Sequence, residues 1–270
     1  MPELPEVETA RRGIRPYLVD QTITAFTIRE RRLRWPVSRA VDRALPGRRI
    51  ESVERRAKYL LINTDTGTAM IHLGMSGSVY VIPIGTPAGL HDHFDIQLSS
   101  GEMLRYRDPR RFGSLHFTKN VATHKLIKNL GPEPLSDVFD GDYLHTLSRG
   151  RRVAIKQFIM NANIVVGVGN IYASEALFRA GIHPKRRAGR VSQGRYELLA
   201  QSIKDVLSDA IDAGGTTLRD FYGGDGEAGY FQQQLSVYGR DDEGCDRCGD
   251  RIRIAVLGQR STFYCNGCQT

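Results

Sequence analysis

All four cysteines of this 270-residue chain lie in its last 26 residues, as two pairs with two residues inside each pair. The pairs are Cys245 with Cys248 and Cys265 with Cys268, and a strand-turn-strand pattern lies between them. This spacing can bring four thiolates to the corners of a tetrahedron, the geometry that Zn²⁺ prefers. Two disulfides or a redox dithiol are the alternatives; a reducing compartment disfavours the first and the paired motif disfavours the second. Four sulfur ligands leave no open position, so the sequence predicts one structural zinc.

The N-terminus holds a second group of reactive residue types, namely Pro2, Glu3 and Glu6. If an initiator methionine is removed, Pro2 gains a free secondary amine, partly neutral at physiological pH because α-amino groups titrate at about 8. Such an amine can attack a sugar C1′ and form a permanently cationic iminium, a strong electron sink. Glu3 can protonate the sugar oxygen, and Glu6 supplies a second carboxylate one turn further along. A Pro-Glu start is also an ordinary way to begin a chain, so both interpretations stay open here.

The residues after Glu3 predict the helix that anchors these groups. Apolar residues recur at intervals of three and four from Leu4 to Leu18, which predicts an amphipathic helix. Pro5 suits its first position, and acidic Glu6 and Glu8 complement the positive end of the helix dipole.

The remaining chain divides into a strand-rich part and a helical part. Residues 22–117 contain seven short runs with strand character between Gly, Pro and Asp turns, typical of an antiparallel sandwich or barrel. Residues 130–141 break this pattern with two prolines and two glycines, and helical periodicity follows from about residue 142. The sequence therefore predicts a strand domain followed by a helical domain and the cysteine finger.

The composition favours a polyanionic partner. The formal net charge is +8, and residues 29–58 hold eleven Lys or Arg against four Asp or Glu. A basic surface attracts nucleic acid, although charge alone does not name a reaction. No apolar stretch is long enough to cross a bilayer, and the charged start lacks the apolar segment of a secretory signal. We expect a cytoplasmic protein that is not bound to a membrane.

Nine stretches, in order along the whole chain, together resemble the bacterial formamidopyrimidine-DNA glycosylase family. They are MPELPEVET at the start, RRAKYLL at 55–61, IHLGMSGS at 71–78, HDHFD at 91–95, DPRRFG at 108–113, LGPEPL at 130–135, VVGVGNIYASEALF at 165–178, GGTTLRDF at 214–221 and the four-cysteine finger. The resemblance implies an α+β multidomain protein. Its parts would be an N-terminal helix plus antiparallel β-sandwich over 1–133, a helix-two-turn-helix domain with the damaged-base loop over 134–235, and a four-cysteine zinc finger over 236–270.

The resemblance also implies a bifunctional DNA glycosylase and AP lyase of base-excision repair, acting on oxidised purines in duplex DNA. Pro2 would displace the damaged base, with Glu3 assisting ring opening; Glu6, placed by helical spacing, is the further candidate catalytic carboxylate. Lys58 matches the proton donor of β-elimination, and Arg260 matches the residue of δ-elimination. The repulsion of neighbouring arginines and partial burial are expected to lower the pKa of Lys58.

Seven further residues are expected to contact DNA. Met75, Arg110 and Phe112 match the family's wedge, which fills the space left when a base leaves the stack. Phosphate contacts are expected from four others, which are His91, Arg151, Lys156 and Asn170; the turn before Asn170 offers a helix N-terminus. Without the family context, Met75 and Phe112 are typical core residues. Lys58 would be a solvated lysine, and Arg260 would be one of several finger arginines.

Three questions stay open at the level of sequence. One alternative is an endonuclease VIII-like enzyme for oxidised pyrimidines, and another is a non-catalytic DNA-binding relative; the PELPE start and the intact catalytic residues disfavour them. His91 and His93 lie two residues apart and could ligate a metal, but no third ligand is evident. We expect a monomeric, nucleoid-associated protein whose partner is double-stranded DNA with oxidised bases or abasic sites. The glycine-rich stretch from Thr216 to Tyr230 matches the family's damaged-base loop.

Overall fold

The computed structural model describes residues 2–214 and 235–270. The described residues form two compact units, the first of 2–128 with 213–214, the second of 129–212 with 235–270. The glycine-rich loop expected at Thr216 to Tyr230 lies outside the described residues. No helix within the described ranges is long and apolar enough to cross a membrane.

The first unit is a sandwich of two four-stranded antiparallel sheets preceded by a helix. Its elements are α1 (Leu4–Leu18), β1 (Ile23–Ile28), α2 (Val41–Ala44), β2 (Ile50–Arg56), β3 (Tyr59–Thr64), β4 (Gly67–His72), β5 (Ser78–Pro83), β6 (Asp92–Leu98), β7 (Glu102–Arg107) and β8 (Ser114–Thr118). One sheet has the strand order β1-β6-β7-β5 and the other has the order β2-β3-β4-β8. The predicted sandwich is confirmed.

The core of this unit joins the apolar face of α1 to both sheets. Val7, Ala10, Ile14 and Leu18 are buried on α1 and belong to the same cluster as the inward residues of the strands. Burying this stripe removes apolar surface from water, which fixes α1 against the sandwich. The helix begins at Leu4, with Glu3 as its N-cap, so Pro5 lies one position later than the sequence indicated.

The second unit combines five helical segments with the finger hairpin. Its elements are α3 (Gly141–Ser148), α4 (Ile155–Ile159), α5 (Asn170–Arg179), a short 3-10 helix (Ala188–Arg190), α6 (Gln193–Asp212), β9 (Ile252–Leu257) and β10 (Arg260–Cys265). Helix α4 is shorter than the helical pattern around it. Ala154 instead forms a β-bridge with Arg187, and the N–H of Ile155 donates to the carbonyl of Arg186 at 2.7 Å.

The finger packs onto α5. A buried cluster joins Phe178 of α5 to Val237, Ile252 and Phe263, together with Cys245 and Cys265. The carboxylate of Glu175, also on α5, accepts the backbone N–H groups of residues 236–238 at 2.8–3.0 Å. The metal-binding hairpin and the helical part therefore belong to one compact unit.

Candidate functional site

The four cysteines form a cluster that fits a tetrahedral metal ion. All four sulfur atoms lie within 4.8 Å of one another. The Sγ atoms of Cys245 and Cys268 are 3.8 Å apart, and those of Cys248 and Cys265 are 3.4 Å apart. Four sulfurs at about 2.3 Å from a central Zn²⁺ need separations of this size. The set fits one structural zinc, and no other metal-binding cluster of three or more such side chains occurs among the described residues.

The N-terminus is held by a buried pair of carboxylates. Glu3 and Glu6 form a capping box at the start of α1, and the Glu6 carboxylate accepts the backbone N–H of Glu3 at 2.7 Å. Both side chains are almost wholly buried, and so is Pro2. Because a capping box fixes the entry of the chain into the helix, the backbone beside Pro2 has a defined position. Glu6, predicted as a second catalytic carboxylate, thus has a positioning contact in this structure.

Lys58 lies in the two-residue turn between β2 and β3 and is half-buried. The preceding residue, Ala57, has φ of 55°, a left-handed conformation that costs about 1–2 kcal/mol for a non-glycine residue. Arg55 supports this turn because its guanidinium donates to the carbonyl of Ala57 at 2.9 Å and to the carboxylate of Glu8 at 3.2 Å. The turn with Lys58 is therefore connected through Arg55 to the helix that carries Glu3.

Glu8 changes the electrostatic expectation for this turn. Burial alone would raise the pKa of Glu8, but hydrogen bonds and charges from Arg11, with the charge of Arg55, lower its pKa overall. Glu8 is therefore ionised at neutral pH and offsets the charge of Arg55. The sequence did not show this partner of Arg55 on α1, and the lowered pKa expected for Lys58 stays a prediction.

His72 is a residue that the sequence analysis missed. It ends β4, and its ring lies against Tyr59 with 4.9 Å between ring centroids. Burial, together with the positive charges of Lys58 and Arg34, lowers its pKa to about 4, so the imidazole is neutral at physiological pH. Its Nδ1 accepts the N–H of Gly74 at 2.9 Å, which leaves Nε2 as the N–H donor. The available sequence signal was its position directly before the LGMSG stretch.

The predicted wedge residues lie on two loops that touch each other. Met75, Arg110 and Phe112 are all exposed, and the Arg110 guanidinium lies 4.9 Å from the centre of the Phe112 ring. Gly74 has φ of +68°, and a Cβ there would lie 2.4 Å from the carbonyl carbon of Phe112. Two large apolar side chains beside an arginine on a surface suit insertion into a base stack better than core packing.

Asp108 holds these two loops together. Its carboxylate is fully buried and accepts the hydroxyl of Ser76 at 2.7 Å, the N–H of Gly113 at 2.8 Å and the hydroxyl of Tyr106 at 3.1 Å. Its backbone carbonyl lies 2.7 Å from Nε2 of His93, which gives that histidine a structural hydrogen bond. The half-buried His91 joins the same loop, because its carbonyl accepts the N–H of Asp108 at 3.0 Å.

In the second unit, Arg260 is presented by the turn of the finger hairpin. Gly258 and Gln259 both have positive φ, 54° and 62°, as a type I′ turn requires, and Arg260 follows them as an exposed residue. The next residue, Ser261, is held by two side chains predicted to contact phosphate. Its carbonyl accepts from Lys156 Nζ at 3.2 Å and from Asn170 Nδ2 at 2.9 Å.

Lys156 is almost fully buried, and its ammonium also donates to the hydroxyl of Thr262 at 3.0 Å. Asn170 is half-buried as the first residue of α5, whereas Arg151 is exposed. In this structure, Lys156 and Asn170 hold the strand that carries Arg260, and Arg151 has a side chain open to solvent.

Comparison with known proteins agrees with this architecture along the chain. Residues 1–115 match the formamidopyrimidine-DNA glycosylase N-terminal domain, residues 130–222 match its H2TH domain, and residues 243–270 match a zinc finger found in FPG and IleRS. A sandwich, an H2TH unit and a four-cysteine finger in this order define a class of zinc-finger DNA glycosylases.

Close relatives narrow this class to one family. The formamidopyrimidine-DNA glycosylases of Pseudomonas fluorescens strain SBW25 and Stutzerimonas stutzeri strain A1501 are 58% and 57% identical to this chain, over 100% of both chains. A mutant Lactococcus lactis FPG in complex with a Fapy-dG containing DNA has a TM-score of 0.92 at 32% identity, covering 99% of each chain. The MutM (FPG) protein of Thermus thermophilus has a TM-score of 0.89 at 34% identity, over 99% of this chain and 98% of that one. The chain belongs to the formamidopyrimidine-DNA glycosylase family.

Proposed function

We propose that this protein removes oxidised purines, such as 8-oxoguanine and formamidopyrimidines, from duplex DNA and then cleaves the strand as an AP lyase. The observation that carries the proposal is the capping box, in which Glu6 fixes the backbone of Glu3 directly beside Pro2. Solved relatives from Lactococcus lactis bound to Fapy-dG containing DNA and to abasic-site DNA support this substrate class.

The first step uses the amine of Pro2, freed by removal of Met1. The nitrogen forms a bond to C1′ of the damaged nucleotide while the glycosidic bond breaks, and the base leaves with its electron pair. The proton that the amine loses is transferred to the departing base. Glu3 protonates the sugar ring oxygen as the ring opens, which leaves an iminium between Pro2 and C1′. This iminium has no N–H to lose, so it stays cationic and draws electrons from the sugar.

The later steps break the strand on both sides of the sugar. The iminium acidifies C2′, and loss of that proton expels the 3′ phosphate with its electron pair, with Lys58 moving the proton. A second elimination expels the 5′ phosphate, where the fork of Arg260 pairs with phosphate oxygens. Water then hydrolyses the link between Pro2 and the sugar remnant. The product is a one-nucleotide gap with phosphates at both ends.

DNA binding uses the wedge and the finger. Met75 and Phe112 fill the space of the extruded base, and Arg110 faces the base left unpaired. Arg151 and His91 contact phosphates, whereas Lys156 and Asn170 act by holding the strand that carries Arg260. The zinc ion keeps the cysteine ends of the finger in place. We further propose that the protein acts as a monomer on nucleoid DNA.

Borohydride trapping tests this proposal because the reagent reduces the iminium to a stable covalent bond. We expect wild-type protein to form an adduct with duplex DNA containing 8-oxoguanine opposite cytosine. The adduct should be lost in Pro2→Gly and in a form that retains Met1, whose Pro2 nitrogen is an amide. Pro5→Ala is the matched control, since it replaces a second proline three residues further along, inside α1, and should keep the adduct.

Absence of an adduct with folded wild-type protein would refute the enzymatic proposal. Initial rates on 8-oxoguanine, formamidopyrimidine and thymine glycol duplexes then test the substrate class. A faster rate on thymine glycol than on either purine lesion would favour the endonuclease VIII-like alternative.

A further inference from the structure

Two segments of the second unit concentrate positive charge, and the proposed function uses only Arg151 and Lys156 of it. Residues 149–156 read RGRRVAIK and residues 183–190 read HPKRRAGR. Together they hold eight Lys or Arg and no Asp or Glu, which equals the net charge of +8 of the whole chain. The rest of the chain is therefore close to neutral overall, and its positive field originates largely here.

The fold brings the two segments together side by side. Ala154 and Arg187 form a β-bridge, and the N–H of Gly189 donates to the carbonyl of Arg151 at 2.9 Å. A Cβ on Gly189 would lie 2.8 Å from that carbonyl oxygen, so only glycine permits the approach. The result is one surface, which we call the basic strip, with five exposed side chains. They are Arg151, Arg152, Lys185, Arg187 and Arg190.

Acidic side chains do not neutralise the basic strip. Within residues 2–214 and 235–270, none of its five members forms a salt bridge, although Arg179 and Arg240 elsewhere in this unit do. Lys185 of the strip and the adjacent Arg186 also affect their neighbours. Burial, with the charges of Lys185 and Arg186, lowers the pKa of His183, and burial with Arg186 lowers the pKa of Arg195. Crowded like charges without counter-ions indicate a surface suited to an external polyanion.

The strip continues the face of the finger that presents Arg260. Side chains at positions 260, 262 and 264 of β10 point to the same face, because strand residues alternate. Thr262 contacts buried Lys156, and the ammonium of Lys185 lies 5.8 Å from the ring centre of Tyr264. Positions 260 and 264 are four residue steps apart, which corresponds to about 13 Å along the strand. Successive phosphates of one DNA strand rise about 3.4 Å along the duplex axis, so this face matches roughly four nucleotides.

An open groove lies beside the strip. It has a volume of about 700 Å³ and is lined by His183, Lys185, Arg186, Arg187 and Arg190 with residues 269–270. The lining offers guanidinium forks and an ammonium but no carboxylate side chain, so it can accept phosphate oxygens from several directions.

We propose that the basic strip binds the phosphate backbone of duplex DNA on one side of the lesion, beyond the phosphates next to Arg260. This proposal rests on the proposed function and adds a second contact region to it. The strip reads no base edges, so its contribution is independent of sequence and depends steeply on salt. Because of the strip, the enzyme needs a longer duplex for full affinity. The extra length is needed on only one side of the lesion, either the upstream or the downstream arm.

The test compares the triple variant Lys185→Ser, Arg187→Ser and Arg190→Ser with a matched control. Arg15→Ser, Arg39→Ser and Arg43→Ser remove the same charge from exposed positions of the first unit. Equilibrium binding is measured with duplexes that contain a tetrahydrofuran abasic analogue. One duplex has two long arms, and two others have either the upstream or the downstream arm shortened to about four base pairs, the length spanned by this face.

We expect the strip variant to bind the long duplex about tenfold more weakly at moderate salt. The slope of the log association constant against log salt concentration is negative, and its magnitude should decrease by about 2 to 3. Each lost phosphate contact contributes about 0.9 to that magnitude. Wild type and strip variant should bind alike to one of the two shortened duplexes. The control variant should follow the wild type on every duplex.

An equal loss on all three duplexes, or an unchanged salt slope, would overturn the proposal. The proposal would also be overturned if the strip variant bound DNA like the wild type but no longer bound a polyglutamate peptide. That result would show that the strip binds an acidic protein. Borohydride trapping at saturating DNA separates this outcome from failure of the proposed function. The strip variant should still form the adduct, whereas a wild type without any adduct refutes the function itself.

Discussion

The N-terminal site and the finger hairpin hold their charged residues by different means. In the first unit, buried carboxylates fix the functional segments. Glu6 accepts a hydrogen bond from the backbone of Glu3, and Asp108 accepts hydrogen bonds from both wedge loops. In the second unit, Arg260 lies on a hairpin held by the cysteine cluster and by Lys156 and Asn170 at the carbonyl of Ser261. The first arrangement is part of a large core, whereas the second depends on a metal.

The difference follows from the size of each supporting core. The sandwich buries more than twenty apolar residues in one cluster, so its polar contacts have a rigid frame. The cluster beneath the finger has six buried residues, and two of them are cysteines. A small hairpin without a large core of its own needs metal binding to supply folding free energy. Zinc loss should therefore destabilise the finger hairpin and leave the sandwich folded.

The largest expected effect is that of Cys265→Ser. Removing one thiolate should release zinc and abolish DNA binding, because the hairpin with Arg260 loses its support. The single tryptophan, Trp35, lies in the first unit and reports on the sandwich alone. We expect its fluorescence and its thermal transition to stay near those of wild type, while zinc content and DNA affinity fall together. Unchanged DNA affinity after zinc loss would contradict the comparison.

The next effect is that of Asp108→Asn in the first unit. An amide has one acceptor oxygen, and its NH₂ group would face the donors that the carboxylate now satisfies. We expect a loss of about 2–4 kcal/mol in the free energy of unfolding, measured by urea titration of Trp35 fluorescence. Zinc content should not change. The matched control is Asp65→Asn at an exposed carboxylate, expected to cost about 0.5 kcal/mol or less; similar losses in both variants would refute the role of Asp108.

The smallest effect concerns pH. The pKa of His72 falls from 6.5 to about 4 on folding, so the unfolded chain binds more protons between these values. This contribution to stability is complete above about pH 6.5 and is lost as pH falls towards 4, amounting to roughly 3 kcal/mol. His72→Gln should flatten the acid limb of a stability profile measured by urea unfolding. If the variant showed the same dependence of unfolding free energy on pH, groups other than His72 would control the acid limb.

Several features were predictable because local chemistry carries them. The spacing of the four cysteines predicted the metal cluster, and the apolar positions of α1 predicted its buried face; both are confirmed. The antiparallel sandwich followed from short strands with turn residues between them, and it is also confirmed. Strand β8 and helix α2 escaped prediction because each has five residues or fewer and carries little periodic signal.

Residues whose partners are distant in sequence escaped prediction for a different reason. Arg55 was expected to repel Lys58, but Glu8 pairs with it across 47 positions. Lys156 was expected on a phosphate, which stays a prediction, and the sequence did not show that its ammonium bonds residues more than one hundred positions away. His72 became a candidate only when the fold placed it beside the charge of Lys58. Burial and long-range partners decide such roles, and a local sequence pattern indicates neither of them.

The amino-acid sequence by itself determined the residue types: a proline at position 2 beside two carboxylates, four cysteines at metal spacing and a strongly basic composition. Residue type and short spacing are enough for these, because covalent chemistry and metal preference are local properties. Only the tertiary structure decided which groups are exposed, which are held and which are neutralised. It alone joined residues 149–156 to residues 183–190 as one basic strip, since electrostatic fields depend on distance in space and not along the chain.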